Sequence, residues 1–90
     1  MLEFDSFMSD PYDNCCFVWA SRPDGKRARF TISSEILVEV LGGGNPVHDR
    51  QNRDLCERAR AKIEAACRHA YAARPTSVVE LQPADFCHCQ

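Results

Sequence analysis

No apolar run in the 90 residues approaches the roughly 20 needed to span a bilayer. The N-terminal stretch carries acids where a secretory signal carries bases, and it lacks an apolar centre, so the expected location is the cytosol. There is no surplus of positive charge: the net charge is −2, which argues against general nucleic-acid binding. Glycine is scarce, with four residues, and Gly42-Gly43-Gly44 lacks the Gly-x-Gly-x-x-Gly or Lys-Ser/Thr setting of a phosphate loop. That triplet reads as a helix terminator and linker. There is no internal repeat and no low-complexity tract.

What the chain has is an ordinary folded composition, 44% hydrophobic and 27% charged. Its length supports one modest core and a stability of about 5–8 kcal/mol. The charge is uneven. Residues 1–14 hold four acids and no base, residues 15–74 hold eleven bases and seven acids, and residues 75–90 hold Glu80 and Asp85. The six cysteines resemble a disulfide scaffold in number only. In a cytosol that keeps thiols reduced, free cysteine packs as a small hydrophobe.

The organisation follows from hydrophobic period and turn chemistry. Leu2-Glu3-Phe4 reads as a short strand, and residues 5–14 as an irregular acidic loop with an Asp10-Pro11 turn. Cys15 to Arg22 and Lys26 to Ile32 read as two strands around Pro23-Asp24-Gly25, a β-hairpin. A two-residue Asp24-Gly25 loop sets Trp19 opposite Phe30 and Phe17 opposite Ile32. A three-residue loop with a bulge at Gly25 sets Val18 opposite Phe30 instead. The first is favoured because it buries both aromatic residues.

Ser33 reads as an N-cap for a short helix whose stripe is Ile36, Leu37, Val40 and Leu41. A long helix begins at Asn45-Pro46 or at Asp49 and runs to about Ala73. Leu55, Cys56, Ala59, Ile63, Ala66, Cys67 and Ala70 form its apolar face, with Asp54–Arg58 and Glu64–Arg68 pairs on the wet face. Pro75 closes the helix. Ser77 to Leu81 reads as a last strand with Val79 and Leu81 on one side, followed by a turn that tucks in Phe86.

The expected fold is α+β: a small, mostly antiparallel sheet of hairpin plus N- and C-terminal strands, with two helices on one face, in the order β-β-β-α-α-β. Residues 1–86 form one domain and 87–90 a flexible tail.

Together, the Asp24-Gly25 hairpin, Ile32-Ser33-Ser34-Glu35-Ile36-Leu37, the helix with Cys56, Arg60, Ile63, Cys67 and Tyr71, and Val79-x-Leu81-x-x-x-Asp85-Phe86 form a recognisable series. It resembles domain of unknown function family 1488, a family of short bacterial proteins, from about Leu2 to Phe86. The resemblance implies a small α+β fold with two helices on an antiparallel sheet, and it favours the register that buries Phe17 and Trp19. It implies no activity. Cys56 stands where the family usually has Phe, and Cys67 where a small residue is usual.

Each candidate site has a plain structural alternative. Cys87, His88 and Cys89 offer three clustered ligands for metal or redox chemistry, whereas a structural zinc takes four; a disordered tail is the simpler account. Cys15 and Cys16 are strand neighbours and point to opposite faces, one core and one surface, so they cannot chelate one ion. A nucleophilic cysteine needs a base beside it, and no spacing brings His48 or His69 to Cys15. Arg60 reads either as an anion or partner contact or, preferably, as a guanidinium lying over the core rim and paired with Glu64 or a sheet carboxylate. Lys26, Arg27 and Arg29, with Arg22, make a basic hairpin tip that stacks a base if Trp19 or Phe17 is exposed and is a solvated surface otherwise. The expected role is a non-enzymatic accessory or protein-interaction module with an unknown protein partner and no cofactor, metal site or membrane. Weak nucleic-acid binding through Lys26, Arg27 and Arg29 is the alternative, and thiol chemistry by Cys87, His88 and Cys89 the third.

Overall fold

The computed structural model describes residues 2–10, 15–42 and 49–86. The Asp10-Pro11 turn, Gly43-Gly44, Asn45-Pro46, His48 and Cys87-His88-Cys89 lie wholly or partly outside those residues. Four strands, β1 (Glu3–Asp10), β2 (Cys15–Ser21), β3 (Arg27–Ile32) and β4 (Val78–Glu80), form one sheet in the order β1-β2-β3-β4. The first three are antiparallel neighbours, and β4 runs parallel to β3. A parallel neighbour needs a crossover. It consists of a short π-helical turn (Ile36–Val40), α1 (Asp49–Arg58) and α2 (Arg60–Ala73). A last helical turn, α3 (Pro83–Phe86), follows β4. The fold is α+β as the pattern implies, with a mixed sheet, and no helix among the described residues is long and apolar enough to cross a membrane.

The hairpin takes the register that the aromatic argument set aside. Val18 faces Phe30, and Trp19 faces Arg29. The loop is three residues. Gly25 donates its N–H to the Arg22 carbonyl at 3.0 Å, and Arg22 donates to the Lys26 carbonyl at 2.7 Å. Gly25 sits at φ 86°, the left-handed conformation such a bulge requires. Cys16, Val18 and Ala20 therefore point inward and are fully buried, while Phe17 and Trp19 point outward and are half-buried. Small inward residues let the helices approach closely. Ile63, Ala66, Cys67 and Ala70 of α2 are buried and belong to the same core as Val18, Ala28, Phe30 and Ile32.

β1 is longer than expected and takes in residues 5–10, which read as loop. The register shifts between Phe4 and Phe7, so that Phe4 opposes Ala20 and Phe7 opposes Val18. This irregularity at Asp5-Ser6 puts two aromatic residues three apart on the same inward side, which a regular strand cannot do.

The long helix is interrupted at Ala59, whose φ/ψ of −99°/17° departs from helical values. The ladder survives, since Ala59 donates to Leu55 and Ile63 donates to Ala59. No proline or glycine stands there. Ser33 caps the short helix as expected, its hydroxyl accepting from the Ile36 N–H at 3.4 Å, and Gly42 ends it at φ 78°. Leu41 donates to Ile36, five residues back, which widens the turn. The expected Asp54–Arg58 ion pair is replaced by a bond from the Arg58 guanidinium to the Asp54 backbone carbonyl. Val79, Leu81 and Phe86 reach the core as the alternation implies.

Candidate functional site

The helices cover one side of the sheet and leave the other bare. On the bare side, directly paired residues form rows across the strands. Glu3, Ser21 and Arg27 share one row; Trp19, Arg29 and Val78 the next; and Met8, Phe17, Thr31 and Glu80 a third. Met8 is 49% exposed and Val78 59%. The Arg29 guanidinium lies 4.1 Å from the Phe17 ring centroid, and Arg27 lies 5.3 Å from that of Trp19. Arg27 also pairs with the Asp5 carboxylate, so it bridges β3 to β1 over the tryptophan. Arg29 has no carboxylate partner among the described residues, and its Nε is buried without a hydrogen bond. A cation over a ring contributes about 0.5–1 kcal/mol at exposed sites.

At the basic hairpin tip both aromatics lie on the outer side of the sheet, half-buried rather than exposed, and the charge is largely matched. Arg22 pairs with Asp24 at 3.1 Å, Arg27 with Asp5, and Glu3 and Glu80 lie on the same face.

Arg60 takes the structural role. Its guanidinium bonds Glu57 and Glu64, each at 3.1 Å, and the Asp5 backbone carbonyl at 3.3 Å, and it lies 4.7 Å from the Phe7 ring centroid. The Glu57 carboxyl is held below the usual carboxylate range by Arg60. Arg60 ties α1, α2 and β1 together over the rim of the core.

The four described cysteines, Cys15, Cys16, Cys56 and Cys67, are all buried. Cys16, Cys56 and Cys67 are fully buried. Cys15, expected to be either core or surface opposite Cys16, is also buried, at 6% exposure. Cys16 and Cys56 share a side-chain hydrogen bond, and that contact followed by burial pushes the Cys56 thiol well above its ordinary pKa. A thiol so disposed is a poor nucleophile. The described cysteines carry no disulfide, and no group of three or more His, Cys, Asp or Glu among the described residues is placed to hold a metal.

One polar cluster has no counterpart among the expected sites. Asp85 is 2% exposed. It accepts from the Gln82 N–H at 2.9 Å and the Arg74 guanidinium at 2.8 Å, and its other oxygen is 3.1 Å from His69 Nδ1. Burial would raise its pKa, but the Gln82 amide, then Arg74 and His69, outweigh it and hold the carboxyl below its usual value. Gln82 at the cap, Pro83 at the first helical position and Asp85 reaching back form half of a capping box. The signal is present in the sequence as Gln82-Pro83-x-Asp85. The cluster fastens α3 to the end of α2.

A cleft of about 370 Å³ opens at the C-terminal ends of the parallel strands β3 and β4, where such sheets often take ligands. Its polar wall is Thr31, Ser33, Glu35, Glu80 and Gln82. Both carboxylates that line it, Glu35 and Glu80, are exposed.

No protein-family model, curated protein or solved structure matches the chain.

Proposed function

We propose that the chain is a non-catalytic interaction module of the cytosol whose binding surface is the helix-free face of the sheet. The observation that carries this reading is the placement of Phe17 and Trp19 on that face, flanked by exposed Met8 and Val78. Aromatic residues, methionine and arginine are the types enriched in interfaces, and tryptophan and arginine recur as hot spots. The buried thiols and the structurally committed Arg60 and Asp85 support the absence of chemistry. A photoreactive side chain placed at Trp19 should form adducts with a partner in native cytosol, whereas one at Lys62, on the exposed side of α2, should not. Equal labelling from both positions, or none from position 19, removes this reading.

A second reading has one observation in its favour. Arg27 over Trp19 and Arg29 over Phe17 offer stacking planes and cations together, as single-stranded nucleic acid requires. It predicts retention on RNA that falls with salt. Flow-through at low salt removes it. The carboxylates Glu3, Asp5 and Glu80 on the same surface make it the weaker of the two.

A further inference from the structure

Charge on the helix-free face is sorted by strand. Carboxylates Glu3 and Asp5 stand on β1 and cations Arg27 and Arg29 on β3; between them on β2 lie Phe17, under the Arg29 guanidinium, and Trp19, under Arg27 and its pair with Asp5. Glu3 has no ion-pair partner among the described residues, and neither has Arg29. A face with an acidic column, an apolar centre and a basic column matches its own image under one operation: a two-fold axis parallel to β2, lying between two such faces. That rotation exchanges left and right but preserves height along the strand. The β1 of one copy then lies over the β3 of the other, and β2 meets β2 on the axis.

Height is the decisive check. Glu3 pairs across the sheet with Ser21, and Ser21 with Arg27, so Glu3 and Arg27 stand in the same row. The rotation therefore brings Glu3 of each copy over Arg27 of the other. Asp5 belongs to the irregular stretch opposite Trp19, whose row holds Arg29, so it falls near the unpaired cation. Face-to-face sheets cross at about 30°, which displaces a strand one position from the axis by only about 2–3 Å. Glu80, on β4, falls outside the overlap of β1 to β3.

Resting on the reading of this face as a binding surface, we propose that its partner is a second copy of this chain: a two-fold dimer in which Phe17 and Trp19 pack across the axis and the Glu3/Asp5 column of each protomer meets the Arg27/Arg29 column of the other. The isologous pattern, in which one contact occurs twice, is the commonest symmetry of soluble oligomers. Three strands of about six residues overlap, a patch of roughly 15 × 20 Å. That is smaller than the ~800 Å² per partner of a standard interface, so the dimer is weak and reversible.

The test is sedimentation of the full chain across concentration, alongside the emission of Trp19, its one tryptophan. The wild type should pass from monomer to dimer with a concentration-dependent change in emission, and added salt should weaken it. Glu3→Arg alone and Arg27→Glu alone should each weaken association at least tenfold, since like charges then meet twice. Their equimolar mixture should recover it. In the mixed pair the two introduced charges are opposite and face each other, and the unaltered Glu3 of one protomer faces the unaltered Arg27 of the other. Glu80→Arg, beyond the overlap, should leave association unchanged. A wild type that stays monomeric at millimolar concentration overturns the proposal, as does a mixture that fails to recover; an equal loss in Glu80→Arg overturns the β1-over-β3 register. The two readings fail separately. If the wild type is monomeric but position 19 still cross-links to another macromolecule, the face remains a binding surface and only the second copy is excluded.

Discussion

The two faces of one sheet are built from the same three antiparallel strands and solve burial in opposite ways. The inner face sets small and branched residues on β2 and β3, Cys16, Val18, Ala20, Ala28 and Ile32, around the rings of Phe30, Phe7 and Phe4, and is closed by helices. The outer face carries the two rings of β2, Phe17 and Trp19, and closes them only with guanidinium groups. A helix settles closely on a sheet where the side chains beneath it are short and the contact is dry. Arginine needs neither condition, because its stem covers the ring while its charge stays hydrated. The inner face therefore holds the stability and the outer face remains available.

That contrast is broken most severely from the inside. Phe30 is fully buried, with Phe4 and Tyr71 rings at 6.1 and 6.3 Å. Phe30→Ala should cost about 3–5 kcal/mol. Against a total of about 5–8 kcal/mol for a domain of this size, that removes about half or more of the stability. Urea unfolding followed by circular dichroism measures it.

The next effect concerns the one buried carboxylate among the described residues, at the end of the covered side. Asp85→Asn should cost about 2 kcal/mol, through the cap and the charge-assisted bonds to Arg74 and His69. The same group gives a pH dependence with a definite sign. Its folded pKa is below the unfolded value of about 3.9, so its contribution is complete above that value and is lost as pH falls through the folded pKa. Wild type should lose more stability than Asp85→Asn between pH 7 and pH 3. Parallel acid profiles for the two proteins would place the cluster's energy elsewhere.

How much of this is legible in the sequence depends on where a local rule and a tertiary one agree. The alternation of Ala28, Phe30 and Ile32 against Arg27, Arg29 and Thr31 identifies β3, and the stripe of Cys56, Ile63, Ala66, Cys67 and Ala70 identifies the covering helices. The hairpin register comes out wrong because turn chemistry allows two loops and burial of the larger aromatics favours the incorrect one. The clue that points the other way is that Phe17 and Trp19 alternate in step with Arg29 and Arg27, which shelter them from the next strand. β1 comes out short because an irregularity at Asp5-Ser6 spaces Phe4 and Phe7 by three, and an alternation rule cannot see across it. The candidate surface itself follows from the corrected register. It cannot be drawn until the loop length is known, since one residue of slip exchanges the two faces.

The smallest expected effect sharpens the comparison most. Trp19→Ala removes the largest side chain of the outer face, yet the residue is half-buried and its main neighbour is a hydrated guanidinium. It forfeits one exposed cation–ring contact and part of the area of one ring, about 1 kcal/mol or less. Phe17→Ala, beneath Arg29, should behave alike. Two aromatic deletions on the bare face should thus cost less together than Phe30→Ala alone, while removing the apolar centre on which association depends. If Trp19→Ala instead unfolds the chain as Phe30→Ala does, the outer rings belong to the core, and the division of labour between the two faces does not exist.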